Sequence, residues 1–375
     1  MNRFGSAAFM ATLFLLLVSL TVSAQEATPE ITPEVTSPAL PELTETIFAN
    51  AMSAHFPKGW TPSPFDNAIF LVNITPVKLG GWMGEPFSPG QVQIGFSIWQ
   101  TSQIFPINNL AADASPLDYM TGELRYLGEA IAPEYINEPE AFMLDGKRAA
   151  SLFMHRGTGD VELMAIEYEP GIMIIFDFFT APGELDQWKP TVLAIAASIQ
   201  YLPAPPLGQD YETADQHLIV HYPTGWVIDR NDKQTGEDLS ITLATNEAAL
   251  SKGLMGITPD FLSGEARWFA HIAPLSVWAQ TWPELTDSTT PEAFLNILHQ
   301  SAAQLDWSPI TPFYLRGRPA AQAFASADDR GEQIEWAIQY ENNRMGLFIL
   351  TTASGESEQW LPTLLAIAEY TNYGG

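Results

Sequence analysis

The chain contains no cysteine. Disulfides, thiolate catalysis, iron–sulfur clusters and cysteine-ligated zinc are excluded with it. Basic residues are scarce: 16 Lys and Arg face 44 Asp and Glu, for a net charge of −28. A nucleic-acid interface needs a positive face, and anionic lipid repels a negative one, so the balance argues against both partners. Only 16% of residues are charged, below the roughly 25% of an average chain, so much of the surface must be neutral and polar. Several motifs are missing too. There is no His-Glu-x-x-His, no phosphate-binding Gly-x-x-x-x-Gly-Lys, no Gly-x-Ser-x-Gly elbow, no Gly-x-Gly-x-x-Gly and no Asp-x-Asp-x-Asp-Gly calcium loop. What is present suffices for large cores: 46% hydrophobic residues, with 21 Phe, 11 Tyr and 11 Trp. At roughly 100–200 residues per domain, 375 residues predict about two domains.

Residues 1–24 read as an export signal. Arg3 precedes an apolar stretch from Ala7 through Val22, and Val22-Ser23-Ala24 puts small residues before Gln25. The apolar core is short of the ~20 residues that span a bilayer. No Cys follows the cleavage site, so the expected product is secreted or periplasmic, not a lipoprotein, with no membrane insertion after cleavage. Residues 25–45 carry four Pro and five Glu with no basic residue, which predicts an extended, disordered spacer.

The remainder reads as one domain written twice. Residues 188–201 match 360–373 at eight of 14 positions, at an offset of 172. Glu162 to Tyr168 aligns with Ile334 to Tyr340 at the same offset, Phe142 to Ala150 with Phe313 to Ala321, and Phe56-Pro-Lys-Gly-Trp60 with Tyr222-Pro-Thr-Gly-Trp226. Matches in one order with slowly drifting offsets are the mark of duplication. The repeats are placed at 46–203 and 211–375, joined by a Pro-rich linker at 204–210. Both are acidic, with net charges of −10 over 46–203 and −14 over 204–375.

The second copy sets the fold class. Strands are expected at 217–222, 226–229, 239–245 and 266–272, with a short capped helix from Asn246 to Ser251. Thr290 to Leu305 is the clearest helix: Thr290 can cap it, Pro291 suits its first turn, and Phe294, Leu295, Leu298, Ala302 and Leu305 form one apolar stripe. Strands near 310–316, 319–326, 333–341 and 345–352 follow, then a closing helix from Glu356 to Tyr370. Consecutive strands imply antiparallel pairing, so the class is α+β.

The opening strand, the aromatic-Pro-x-Gly-Trp turn, the segment Leu243-Ala-Thr-Asn-Glu-Ala-Ala-Leu250, the later hairpin and the closing helix resemble the PsbP family. They also resemble bacterial domains sharing the α/β/α sandwich of a Ran-binding nuclear-import factor. The resemblance runs through each copy and is most specific at Phe56–Trp60 and Tyr222–Trp226. It implies two tandem sandwiches and an extracytoplasmic accessory, assembly or binding role. It supplies no catalytic triad and no cofactor.

Candidate chemistry is sparse. His217 and His221 share a strand face and could meet one metal; two surface histidines are the plainer account. An acidic exported domain could hold calcium weakly. Asp328-Asp329 and Glu138 with Glu140 are paired carboxylates of the kind a glycoside hydrolase sets across a cleft, although Asp328-Asp329 also suits a β-turn. Trp60, Trp226, Trp188 and Trp360 recur in both copies and are expected in cores. The loops 80–90 and 253–264, with Trp82, Met83, Phe87, Met255 and Phe261, are candidate contact surfaces for a protein or small-molecule partner; the plainer account is that they fold over their own domains or bury the interface between the two copies. The favoured function is a non-enzymatic binding or scaffolding role. The alternatives are a hydrolase using carboxylates in a Trp-lined cleft, or a calcium-stabilised module.

Overall fold

A computed structural model describes residues 42–373 except 66–67, 74–85, 105–109, 112, 129–130, 157, 214–217, 230–236, 253–260, 302–304, 327–330 and 341–342. The first half opens with β1 (Glu45–Ala49), β2 (Met52–Phe56), β3 (Thr61–Phe65), β4 (Ala68–Val72) and β5 (Val92–Gln100). Helices α1 (Thr101–Ile104) and α2 (Pro116–Leu127) lead to a meander of β6 (Glu140–Leu144), β7 (Lys147–Arg156), β8 (Gly159–Glu169) and β9 (Ile172–Thr180). It closes with α3 (Leu185–Ser198) and β10 (Gln200–Tyr201).

The second half begins with β11 (Gln209–Glu212), β12 (Leu218–Tyr222), β13 (Val227–Ile228), β14 (Leu239–Ala244), α4 (Glu247–Leu250) and β15 (Ala266–Pro274). It continues with α5 (Leu275–Trp278), α6 (Pro291–Ser301), β16 (Asp306–Trp307), β17 (Thr311–Leu315), β18 (Arg318–Ser326), β19 (Glu332–Tyr340) and β20 (Arg344–Thr352). Helix α7 (Ser357–Tyr370) and β21 (Asn372–Tyr373) end it.

Local chemistry fixes the helix starts. Ser115 and Asp118 form a reciprocal capping box at α2, with Pro116 in the first turn. The Asn246 side chain accepts from the Ala249 N–H at 2.8 Å, and Thr290 Oγ1 accepts from the Ala293 N–H at 3.3 Å, as the sequence predicts for α4 and α6.

The two large sheets have matching strand orders. One runs β3-β4-β5-β9-β8-β7-β6, and the other contains β13-β14-β15-β20-β19-β18-β17. Strand β20 is buried at all nine positions and β8 at its first eight, so both faces of each sheet are covered. Helix α3 supplies Val192, Leu193 and Ile195 to one face of the first sheet, and α2 supplies Tyr119, Met120 and Leu127 to the other. In the second sheet α7 supplies Leu364, Leu365 and Ile367, and α6 supplies Phe294, Leu295 and Leu298 to the opposite face. The class is α+β, with helices on both faces of mostly antiparallel sheets.

The halves are not separate beads. Strand β1 runs parallel to β17, with Ile47 opposite Tyr314 and Phe48 opposite Leu315, so the hairpin β1–β2 and then β10 extend the second sheet. Strands β11, β12 and β21 form a separate three-stranded sheet with the same pairing logic. The β1–β2 turn is Asn50-Ala51, with φ of 53° and 58°, the left-handed pair that a type I′ turn demands. The buried Glu369 accepts the Asn50 N–H at 2.8 Å, and Phe48 O accepts the Arg316 N–H at 2.9 Å. Burial pushes the Glu369 carboxyl above its ordinary range, opposed by the Asn50 N–H and the Arg316 charge. The Phe48 ring packs edge-on against Phe313 at 5.3 Å.

Two expected boundaries move. Leu43 packs against the first core and β1 begins at Glu45, so the last residues of the 25–45 spacer belong to the fold. Strand β11 begins at Gln209, inside the 204–210 linker. Residues 1–24 lie outside the described residues.

Candidate functional site

The sequence-predicted residues fare unevenly. His217, Trp82, Met83, Met255 and the pair Asp328-Asp329 lie outside the described residues. His221 Nδ1 sits 2.5 Å from Asp210 Oδ1, its cross-strand neighbour, and its ring meets Tyr370 edge-on. Among the described residues no three His, Asp or Glu side chains gather as a metal set. Phe87 and Phe261 point inward, as loops that fold over their own domains require, and do not serve as exposed contact residues. Phe87 is 9% exposed and stacks on Phe179 at 6.4 Å, while Phe261 is 8% exposed under the Lys252 ammonium. Their burial offsets the cost of leaving large rings in water. The repeat tryptophans pair against the cores, Trp60 with Trp188 and Trp226 with Trp360; Trp60 is buried and the other three are partly buried.

Glu138 and Glu140 do reach a concave site. Together with Asn137 they border a cleft of about 320 Å³ in the first half. Its floor comes from β7 and β8: Phe153 stands opposite Glu162 in register, and Ser151 stands opposite Glu140 across β6–β7. Its far wall is the start of α3, with Gly183, Leu185, Asp186 and Lys189.

Two carboxylates in this cleft are buried. Asp160 is 4% exposed; it accepts the Gly183 N–H at 2.6 Å and lies 2.5 Å from His155 Nδ1. These contacts tie β8 to the entry of α3. A Cβ on Gly159 would stand 2.4 Å from the Thr180 carbonyl oxygen, so only glycine lets the chain enter β8 this close to β9. Glu162 is 2% exposed, and its Oε1 accepts the Lys189 ammonium at 2.8 Å. Its other oxygen, Oε2, is buried without a hydrogen-bond partner. A charged oxygen held away from water without a donor is costly.

Sequence reasoning missed Glu162 and Lys189, yet the signal was present. The repeat alignment sets Glu162 against Ile334 and Lys189 against Leu361. The positions that carry this ion pair in the first half are apolar in the second, whereas Asp160 is matched there by Glu332, which accepts the Ser357 N–H at 3.0 Å.

Other buried polar groups are differently placed. In the second half, Glu335 accepts from Gln333 Nε2 at 2.7 Å and lies 2.9 Å from His299 Nε2, while the His299 ring stacks on Trp307 at 3.9 Å. On β9, burial and the neighbouring Glu123 charge push the Asp177 carboxyl up to about 7, although part of its surface still reaches solvent.

The fold thus defines a protein of layered α+β halves, with an acidic cleft among the described residues of the first. No family model and no curated protein matches the chain. Among solved structures, the cyanobacterial PsbP (CyanoP) of Synechocystis sp. PCC 6803 is 16% identical, with a TM-score of 0.24, covering 40% of this chain and 87% of that one. A crystal structure from Bacteroides thetaiotaomicron VPI-5482 is 8% identical, TM-score 0.27, covering 81% and 89%. The MucA/MucB complex of Pseudomonas aeruginosa gives 10% identity and a TM-score of 0.20, covering 86% and 89%. These likenesses carry no argument about ligand, partner or activity. Among the described residues no helix is long and apolar enough to cross a membrane.

Proposed function

We propose that this is an extracytoplasmic, non-enzymatic binding protein of two tandem PsbP-like modules, and that the first module holds the ligand in the cleft around Glu162. The export-type start of the sequence and the scarcity of catalytic motifs support the setting and the class. One observation carries the site: Glu162 Oε2 is buried, charged and without a donor, in a concavity whose size suits a small ligand. The second module, with Ile334 and Leu361 at the matching positions, serves as scaffold. The test is a thermal-shift screen of residues 25–375 against cationic, neutral and anionic metabolites, oligosaccharides, Ca²⁺ and chelator. A ligand at 100 times its Kd stabilises by about 2.7 kcal/mol. The reading requires at least one hit that disappears in Glu162→Ile/Lys189→Leu. Hits indifferent to that change, or turnover of a polysaccharide or ester, would reject it.

A further inference from the structure

Resting on that reading of the cleft, the geometry points to a ligand class: a small alkyl diamine or polyamine. The cleft already holds one alkylammonium, the tethered side chain of Lys189, on Glu162 Oε1. The Lys189 side chain is 40% exposed while Glu162 is only 2% exposed, so the ammonium enters from the open side and the carboxylate waits inside. Oε2 lies beside the first acceptor with no surface open to water, so a ligand amine reaches it only as the partly exposed Lys189 side chain moves aside. An N–H donor satisfies it, and a charged donor satisfies it best, because charge-assisted hydrogen bonds are about twice as strong as neutral ones.

The rim asks for further positive charge. Glu138, Glu140 and Asp186 are exposed around the opening, so two buried and three rim carboxylates border a cleft whose lining holds a single lysine. A ligand with one ammonium would leave the rim uncompensated; a ligand with two or three, spaced by methylenes, meets both levels. Phe153 and Leu185 supply apolar surface for the methylenes. A divalent cation fits less well, since a metal needs several converging oxygens, and no set of three His, Asp or Glu side chains converges among the described residues. A quaternary ammonium fits less well also, since it has no N–H to give Oε2.

The experiment is calorimetric titration of residues 25–375 with spermidine and with 1,4-diaminobutane at fixed ionic strength. Tetramethylammonium, Mg²⁺ and Ca²⁺ are run alongside. The expected result is saturable binding of the two amines, a weak or absent response to the other three, and a loss of roughly tenfold or more in affinity in Glu162→Gln. Glu162→Ile/Lys189→Leu, which copies the pairing of the second half, is expected to stay folded and to bind no amine. Amine binding that survives this double variant would be diffuse attraction to an acidic chain and overturns the inference. So does Glu162-dependent binding of a divalent cation or tetramethylammonium without amine binding. If the amines fail but another compound class binds in a Glu162-dependent way, the cleft stands and the amine assignment falls. If nothing binds there, both fall.

Discussion

The indole rings of Trp60 and Trp188 meet edge to face, their centroids 5.9 Å apart and their planes at 72°. Trp226 and Trp360 repeat the contact at 5.8 Å and 71°. Each pair ties the Gly-Trp turn, after β2 in the first half and after β12 in the second, to the first turn of the closing helix. If the two halves are copies, the two contacts should weigh alike. Trp188→Ala and Trp360→Ala are each expected to cost about 3–5 kcal/mol, the range for emptying a large aromatic site. Urea unfolding measures both, and a difference beyond about 2 kcal/mol would show that the likeness is geometric but not energetic.

Asp177 makes the first half sensitive to pH. Its carboxyl is held up to about 7 in the fold, against about 3.9 in an unfolded chain. The folded state therefore binds the extra proton between these values. The contribution is fully present below about pH 4 and is lost as pH rises through about 7. Relative to wild type, Asp177→Asn should gain stability progressively from pH 4.5 to 8 and level off above. Parallel denaturation curves at several pH values check this; a constant difference across that window would refute it.

The turn between β1 and β2 is built at a cost. Ala51 sits at φ 58°, where a Cβ crowds the backbone. Asn-Gly is the favoured pair for such a turn. Ala51→Gly should raise stability by about 0.5–1 kcal/mol, read as an increased denaturation midpoint with unchanged slope.

The ion pair of the cleft should behave non-additively. Lys189→Leu alone leaves the Glu162 carboxylate buried and unpaired. It should cost about 1–3 kcal/mol, below the usual range for broken buried pairs because Lys189 is partly solvated. Adding Glu162→Ile removes the stranded charge and should restore or exceed wild-type stability. A double-mutant cycle by chemical denaturation decides it; additive costs would mean that the pair is not coupled.

Much of the fold could be read from residues with strong local preferences. Thr290 with Pro291 and Asn246 each mark a helix start that the structure keeps, because a side-chain oxygen is the cheapest partner for an orphan N–H. The later strands fall where alternating apolar residues end in turns. At Phe87 and Phe261 the sequence leaves contact and covering roles both open, because an aromatic ring in a Gly- and Pro-rich stretch looks exposed until its partner is known. Phe87 reaches Phe179, far along the chain. The junction between halves was illegible for the same reason: a parallel pair such as β1–β17 leaves no periodicity in either strand. The cleft was half legible. Glu138 and Glu140 stood out as a pair, whereas Glu162 lay inside an apolar repeat and declared itself only by differing from Ile334.

Asn50 and Glu369, joined by one hydrogen bond, are 319 residues apart in sequence. That separation imposes an order of assembly. A chain emerging from its N-terminus presents the β1–β2 hairpin first, yet the strand β1 docks on and the helix that receives its turn come near the end. Until then β1 and the edge of β17 are both unsatisfied templates for pairing with another chain. The hairpin's arrival covers both edges at once, so during synthesis these edges stay open to another chain until the residues around Leu315 and Glu369 have emerged.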